Sequence, residues 1–182
     1  MTLITTDRPG IFASIAGALS SFGMNILKAE AFANKRGEIL DTFRFADPNR
    51  NLELNPTEAD RLRLTIEKVV TGRTDVKTLL SNRPKPVAPS RGGRVKPAVF
   101  FDSESSAHST LVEIVAEDRP GLLYDLASTL SAEACNIEVV LIDTEAHKAL
   151  DVFYITSDGA KLTAEKEKIL EQRLLRVCQT AA

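Results

Sequence analysis

The sequence has no tryptophan, only two histidines and only two cysteines. Each shortage narrows the chemistry open to the chain. His108 stands in "SSAHST" and His147 in "EAHK". Neither has a carboxylate or a cysteine at metal-ligand spacing, so both are expected to be exposed loop residues and no metal site is expected. Cys135 and Cys178 have no Cys or His partner nearby. They read as reduced thiols that pack as small apolar groups in a cytoplasmic protein. No apolar run approaches the roughly 20 residues needed to cross a bilayer. No charged start leads into an apolar stretch, so no secretory signal is visible. An excess of either charge is missing too: 23 basic residues face 25 acidic ones, for a net charge of −2. That balance argues against a nucleic-acid face and against a polybasic membrane patch.

Catalytic constellations are also absent. No Gly-rich phosphate loop has P-loop spacing, and no GxSxG elbow occurs. Nothing assembles a nucleophile, a base and an orienting group. Asp41 and Asp151 are lone acids in strand-like runs. They are expected to be polar-face or structural residues. The charged run from Glu165 to Lys168 reads as a solvated helix face. The chain taken alone is expected to catalyse nothing and to need no cofactor.

What is present is a repeat. At an offset of 111, Asp7, Arg8, Pro9, Gly10, Ala16, Leu19, Ser20, Asn25 and Ile26 match Asp118, Arg119, Pro120, Gly121, Ala127, Leu130, Ser131, Asn136 and Ile137. That makes nine identities over 20 positions, enough to read two copies of one architecture. Further on, Leu40-Asp41-x-Phe43 matches Leu150-Asp151-x-Phe153 at an offset of 110. The one-residue slip falls where a hairpin turn is expected, and turns tolerate slips.

Each copy reads alike. Residues 2–6 and 110–116 are β-rich and lead into Pro-Gly. Pro9 and Pro120, with fixed φ and no N–H, suit a helix start. Asp7 and Asp118 then fall near the N-cap, where a carboxylate can accept from free N–H groups. Ile11, Ile15, Ala18, Leu19 and Phe22 recur at spacings of three and four, as do Leu122, Leu126, Thr129 and Leu130, which predicts helices. Gly23 suits a helix end; Ala134, its counterpart, is a poorer stop. Residues 25–33 and 38–46 flank "NKRG" as a hairpin, and 136–144 and 149–156 flank "EAHK". A second helix follows each hairpin: residues 56–70, with Leu62, Ile66, Val69 and Val70, then a helix from Thr163 with Ile169, Leu170, Leu174 and Val177.

The order strand, helix, strand, strand, helix therefore occurs twice. A final strand would complete βαββαβ, the ferredoxin-like pattern. For the first unit the candidate is residues 95–102, "VKPAVFFD", beyond the Pro/Gly/Arg-rich linker 82–94. This divides the chain into domains 1–102 and 103–182. The second unit then lacks its last strand. Either it is an incomplete βαββα, or chain beyond Ala182 supplies the strand. Met1 stands directly ahead of a strand-like run, as expected of a piece of a longer chain.

The Asp-Arg-Pro-Gly loop carries the binding chemistry. Free N–H groups at a helix start favour an anion such as a carboxylate. Gly10 and Gly121 let a ligand approach the backbone. Asn25 and Asn136, at the far end of the same helix, can donate and accept. Together these groups suit a zwitterionic amino acid. Equally, Pro-Gly makes only the turn and Asp only the cap. Both readings stay open on these residues.

In this order before a hairpin, the pieces resemble ACT domains, the βαββαβ modules that sense amino acids. "TDRPGIFASIAGALSSFGMNILKAEAFANKRGEILDTFRF", and "HSTLVEIVAEDRPGLLYDLASTL" with "LDVFYIT", are similar to the C-terminal regulatory region of PII-protein uridylyltransferase/uridylyl-removing enzymes. The resemblance implies an α+β fold of two ferredoxin-like domains, with antiparallel sheets and helices on one face. It implies glutamine as the ligand, favouring uridylyl removal from the PII protein, with uridylyl transfer favoured in its absence. The partners it implies are nucleotidyltransferase and HD domains of a longer chain, the PII protein, and a second copy paired through ACT domains. Ligands of the family sit at an interface between paired domains, against the strand-helix loop. The positions carried over are Asp7, Gly10, Asn25, Asp118, Gly121 and Asn136. The rival reading is an ACT pairing module with no ligand of its own.

Overall fold

The structure, a computed structural model, describes residues 1–34, 36–81, 95–145 and 147–179. The linker expected over 82–94 lies outside the described residues. The first unit runs β1 (Thr2–Thr6), α1 (Ile11–Ser21), β2 (Asn25–Ala33), β3 (Glu38–Ala46), α2 (Asn51–Leu54), α3 (Pro56–Val70) and α4 (Val76–Ser81). The second runs β4 (Ala98–Asp102), β5 (Thr110–Glu117), α5 (Leu122–Ala132), β6 (Asn136–Glu145), β7 (Lys148–Thr156) and α6 (Ala164–Gln179). The short helices α2 and α4 were not legible from periodicity, because four to six residues carry barely one turn of pattern. No helix among the described residues is long and apolar enough to cross a membrane.

Two antiparallel sheets form, with orders β1-β3-β2 and β4-β5-β7-β6. Alternation dictates their faces. Ile39, Asp41 and Phe43 of β3 are buried, as are Ala149, Asp151, Phe153 and Ile155 of β7. Helices cover that side: the Phe12 ring at the start of α1 stacks on Phe43 at 5.1 Å between centroids. The other face of the first sheet is open, and Ile4, Leu40 and Phe32 form one exposed cross-strand row on it. The expected layout, antiparallel sheets with helices on one face, is what the chain adopts. The helix faces also hold. Ile11, Ile15, Ala18 and Leu19 are buried, as are Leu62, Ile66 and Val69, and Leu170 and Leu174. Ile169 is not: it stands 41% exposed. Thr163 caps α6, its hydroxyl accepting from the Lys166 N–H at 3.3 Å.

The last-strand assignment is overturned. β4 pairs antiparallel with β5, from Ala98 opposite Val115 to Asp102 opposite Leu111. It belongs to the second sheet and fills the edge position that a final strand of that unit would take. Order in the sheet, not order in the chain, is what ladder hydrogen bonds select. The second unit is therefore not short of that strand, which comes from the segment ahead of it. The first sheet has three strands among the described residues.

The two sheets lie edge to edge, with β2 alongside β6 and α1 packed on α5. Gly17 explains how closely the helices approach. A Cβ at that position would stand 2.3 Å from Val76 Cγ1 of α4 and 2.8 Å from Tyr124 Cδ2 of α5. Gly lowers helix propensity, so this one is retained for the close approach of three helices.

Two measurements test this packing. Gly17→Ala gains helix propensity but overfills the contact, and a net loss of about 1–2 kcal/mol is expected in chemical denaturation. A chain beginning at residue 95 should fold and stay monomeric more readily than one beginning at residue 103, which leaves the β5 edge open to self-association. Light scattering on the two reads the difference.

Candidate functional site

Each Asp-Arg-Pro-Gly loop is tied down the same way. The Asp7 N–H donates to Gly37 O at 2.8 Å, and the Asp118 N–H to His147 O at 2.8 Å, so each loop hangs from the hairpin turn of its own unit. A tight turn follows, Ile11 N–H to Arg8 O and Leu122 N–H to Arg119 O, both 3.1 Å. The N-caps are Gly10 (φ 76°) and Gly121 (φ 84°), in the left-handed conformation that a side chain disfavours. Neither helix has a side-chain cap. The expected capping role of Asp7 and Asp118 is therefore corrected. Gly takes the cap because the chain must turn through positive φ, and Pro9 and Pro120 precede it instead of opening the helix. No side chain caps the N–H groups of either first turn; those of Ile11 and Leu122 are taken by the loop carbonyls of Arg8 and Arg119. At the far ends, Gly23 (φ 80°) and Ala134 (φ 53°) adopt the same left-handed stop. The poorer residue is held there by its fold.

Bulges mark the strands that leave these helices. The ladder slips between Ile26 and Lys28 and again between Ile137 and Val139, directly after each Asn-Ile. Bulges re-aim neighbouring side chains and are common beside functional sites. No sequence signal announced them.

The structure then exchanges partners between the copies. A cavity of about 310 Å³ is lined by Asp7, Arg8, Gly10, Phe12, Ile39 and Asp41 of the first unit, and by Ser131, Cys135 and Asn136 of the second. A cavity of about 250 Å³ is lined by Asp118, Arg119, Gly121, Ala149 and Asp151 of the second unit, and by Ser20, Met24 and Asn25 of the first. All six sequence-derived positions line a cavity, but in crossed sets. Asp7 and Gly10 meet Asn136; Asp118 and Gly121 meet Asn25. Grouping each Asn with the loop of its own helix is corrected. The helix runs from loop to Asn, so the two lie at opposite ends of it. Only a neighbouring helix, packed beside it, brings a second unit's Asn to the loop.

The residues the sequence reading undervalued are Asp41 and Asp151. They are 1% and 2% exposed. Asp41 Oδ2 and Asp151 Oδ1 have no hydrogen-bond partner among the described residues. Burial, helped by the nearby Asp7 carboxylate, pushes the Asp41 carboxyl up to about 7. Burial, helped by Asp118, pushes Asp151 up to about 7 as well. Asp118 itself is raised by burial. A signal was present: each Asp stands two residues before a buried Phe in a strand, and alternation places both on the core face.

The copies differ at their arginines. Arg119 is held by Asp125 at 2.6 Å and also donates to Val177 O at 3.4 Å. In the first copy Ser14 stands where Asp125 does, and its hydroxyl donates to Gly10 O at 2.8 Å. Arg8 is exposed and makes no ion pair among the described residues. His108 and His147 are exposed, Cys135 is buried and Cys178 is half-buried. Burial raises both thiols, Cys178 to about 11, as expected of packed groups. No three-residue His, Cys, Asp or Glu cluster among the described residues could hold a metal ion.

A family model described as an ACR9-like, ACT-like domain matches residues 98–179, a span that opens with β4. The second unit is an ACT-like domain. The first unit repeats its strand-helix-strand-strand order from β5 onward, and its loop. The chain is 35% identical over 181 residues to the bifunctional uridylyltransferase/uridylyl-removing enzyme of Ruegeria pomeroyi, covering 97% of this chain and 20% of that protein. The enzyme of the same name from Azospirillum brasilense is 35% identical over 179 residues, covering 96% and 19%. The chain thus spans about a fifth of the length of the curated relatives it matches. A crystal structure of aspartate kinase from Synechocystis aligns with all of this chain and 28% of that one, at 15% identity and a TM-score of 0.46.

The buried acids make a pH prediction. An acid whose folded pKa is raised holds its proton more tightly when folded. Its contribution is greatest below its unfolded value near 4 and is lost as pH rises through about 7. An Asp41→Asn, Asp151→Asn double variant should therefore gain on the parent between pH 5 and 8, on the order of 5 °C at the top of that range. Melting curves across that window read the difference; equal slopes would contradict the burial.

Proposed function

We propose that the chain is a regulatory amino-acid sensor, with glutamine as its ligand, acting on the uridylyltransferase and uridylyl-removing activities of a longer cytoplasmic enzyme that modifies the PII protein. The single observation that carries this is the crossed cavity: a loop from one ACT unit faces an Asn from the other. A ligand seated there touches both units, so its binding free energy depends on how the units are arranged. That is what a regulatory ligand needs, since it can shift an equilibrium only by its differential affinity for two states.

The chemistry of the walls suits a zwitterion with an amide. Helix-start N–H groups and Arg8 favour its carboxylate. The aspartates favour its ammonium. Asn25 and Asn136 match an amide that both donates and accepts. Relatives carrying uridylyltransferase names over nearly all of this chain support the parent enzyme as the thing regulated. We divide the two ACT units ahead of Ala98, since β4 pairs into the second sheet. The first cavity should be the tighter of the two, because Arg8 is unengaged while Arg119 is held by Asp125.

Calorimetry tests the reading. L-Glutamine is expected to give saturable heat with the chain at millimolar concentrations or below, and to outbind L-glutamate. Asn136→Ala removes an exposed amide from the cavity lining, one whose Nδ2 otherwise donates to Glu138 Oε1 at 2.9 Å, and should weaken the first cavity by about tenfold. No heat with any proteinogenic amino acid at millimolar concentration, together with a stable dimer in sedimentation, would favour a pairing module without a ligand.

A further inference from the structure

We infer that Asp41 and Asp151 are the ammonium-binding residues of the two cavities, so that the chain takes two α-amino acids, each with its charged amine against one of these carboxylates. The inference rests on the reading of the cavities as amino-acid sites. It goes further by naming the groups that select the amine.

Buried polar atoms without a partner are rare in folded proteins, and each calls for a reason. Here the same atom type is orphaned twice, at the matched position of β3 and β7, each two residues before a fully buried Phe. A carboxylate with a purely structural role would be met by a backbone N–H, a Lys or an Arg. Neither Asp41 nor Asp151 is met by any of these among the described residues. No described residue supplies the donor, which leaves a place for a ligand to supply it. Each carboxyl lines its cavity, and each has a second one near it, Asp7 beside Asp41 and Asp118 beside Asp151. Two acids around one small space attract a cation.

The size and the walls choose which cation. The cavities, about 310 and 250 Å³, sit at the small end of ligand sites. Two carboxyls amid Ile39, Phe12 and Cys135, or Ala149 and Met24, give too few oxygens for the six to eight that a calcium ion takes, by general coordination preference. A primary ammonium needs only about three acceptors, and an Asn carbonyl at the rim can complete the set. The helix start in the same lining favours the ligand's negative end. A buried acid and a helix start lining one cavity match an α-amino acid and disfavour a simple carboxylate, which would meet the acids unpaired.

The test uses this chain, L-glutamine and glutaramic acid, the same molecule without its α-amine. If glutamine gives no heat, the other proteinogenic L-amino acids and their amine-less analogues replace it. Expected in calorimetry are two amino acids per chain and at least a hundredfold loss for the analogue. Asp41→Asn should lose one site and Asp151→Asn the other. An analogue that binds as tightly as glutamine, a double Asn variant that keeps both sites, or a stoichiometry of one, overturns this inference and leaves the amino-acid reading standing. No heat with any amino acid overturns both. The analogue arm needs no variant, so a misfolded Asn chain does not weaken the test.

Discussion

Helices α1, α4 and α5 meet at Gly17, where there is no room for a methyl group between Val76 and Tyr124. That close approach controls what each loop faces. With α1 and α5 pressed together and β2 beside β6, the start of one helix lies by the end of the other. The Asp7 loop then sees Ser131, Cys135 and Asn136, and the Asp118 loop sees Ser20, Met24 and Asn25. Either unit alone would present a half-built wall to water. The sites exist only as properties of the pair.

The carboxylates follow from the same geometry. A strand that buries Ile39 and Phe43 must also bury whatever stands between them. Asp41 is carried to the core side by alternation, and packing then closes over it. An acid in that position costs stability when ionised. The fold tolerates the cost twice, in matched places, beside matched loops. Each cavity is thus lined by a buried acid as well as by an exposed Asn.

Much of the fold was legible in the sequence. The repeat at 111, the Pro-Gly turns, and the apolar spacing in α1, α3, α5 and α6 are local signals, and local backbone physics honours them. The reading of Gly23 as a stop held because a left-handed residue is needed there whatever the context. Ala134 held the same conformation without the favourable residue, because the copy it belongs to is packed the same way. Asp41 and Asp151 were visible but read as polar-face or structural residues, and the structure buries both. Their parity with Phe43 and Phe153 carried the answer, and lone acids in strands are more often solvated. The capping role given to Asp7 and Asp118 failed because the chain passes through positive φ one residue before the helix, and only the glycines suit that turn.

Sequence alone determined that there are two copies, which stretches form α1, α3, α5, α6 and the hairpin strands, and which loops turn at a glycine. These depend on neighbours within a few positions. Tertiary structure decided the rest. It gave β4 to β5, because ladder pairing is indifferent to chain order. It set each loop against the other copy's Asn, because a helix separates its own two ends by its full length. It also left two carboxylates without partners, since what surrounds a buried atom is fixed by residues far away in the chain.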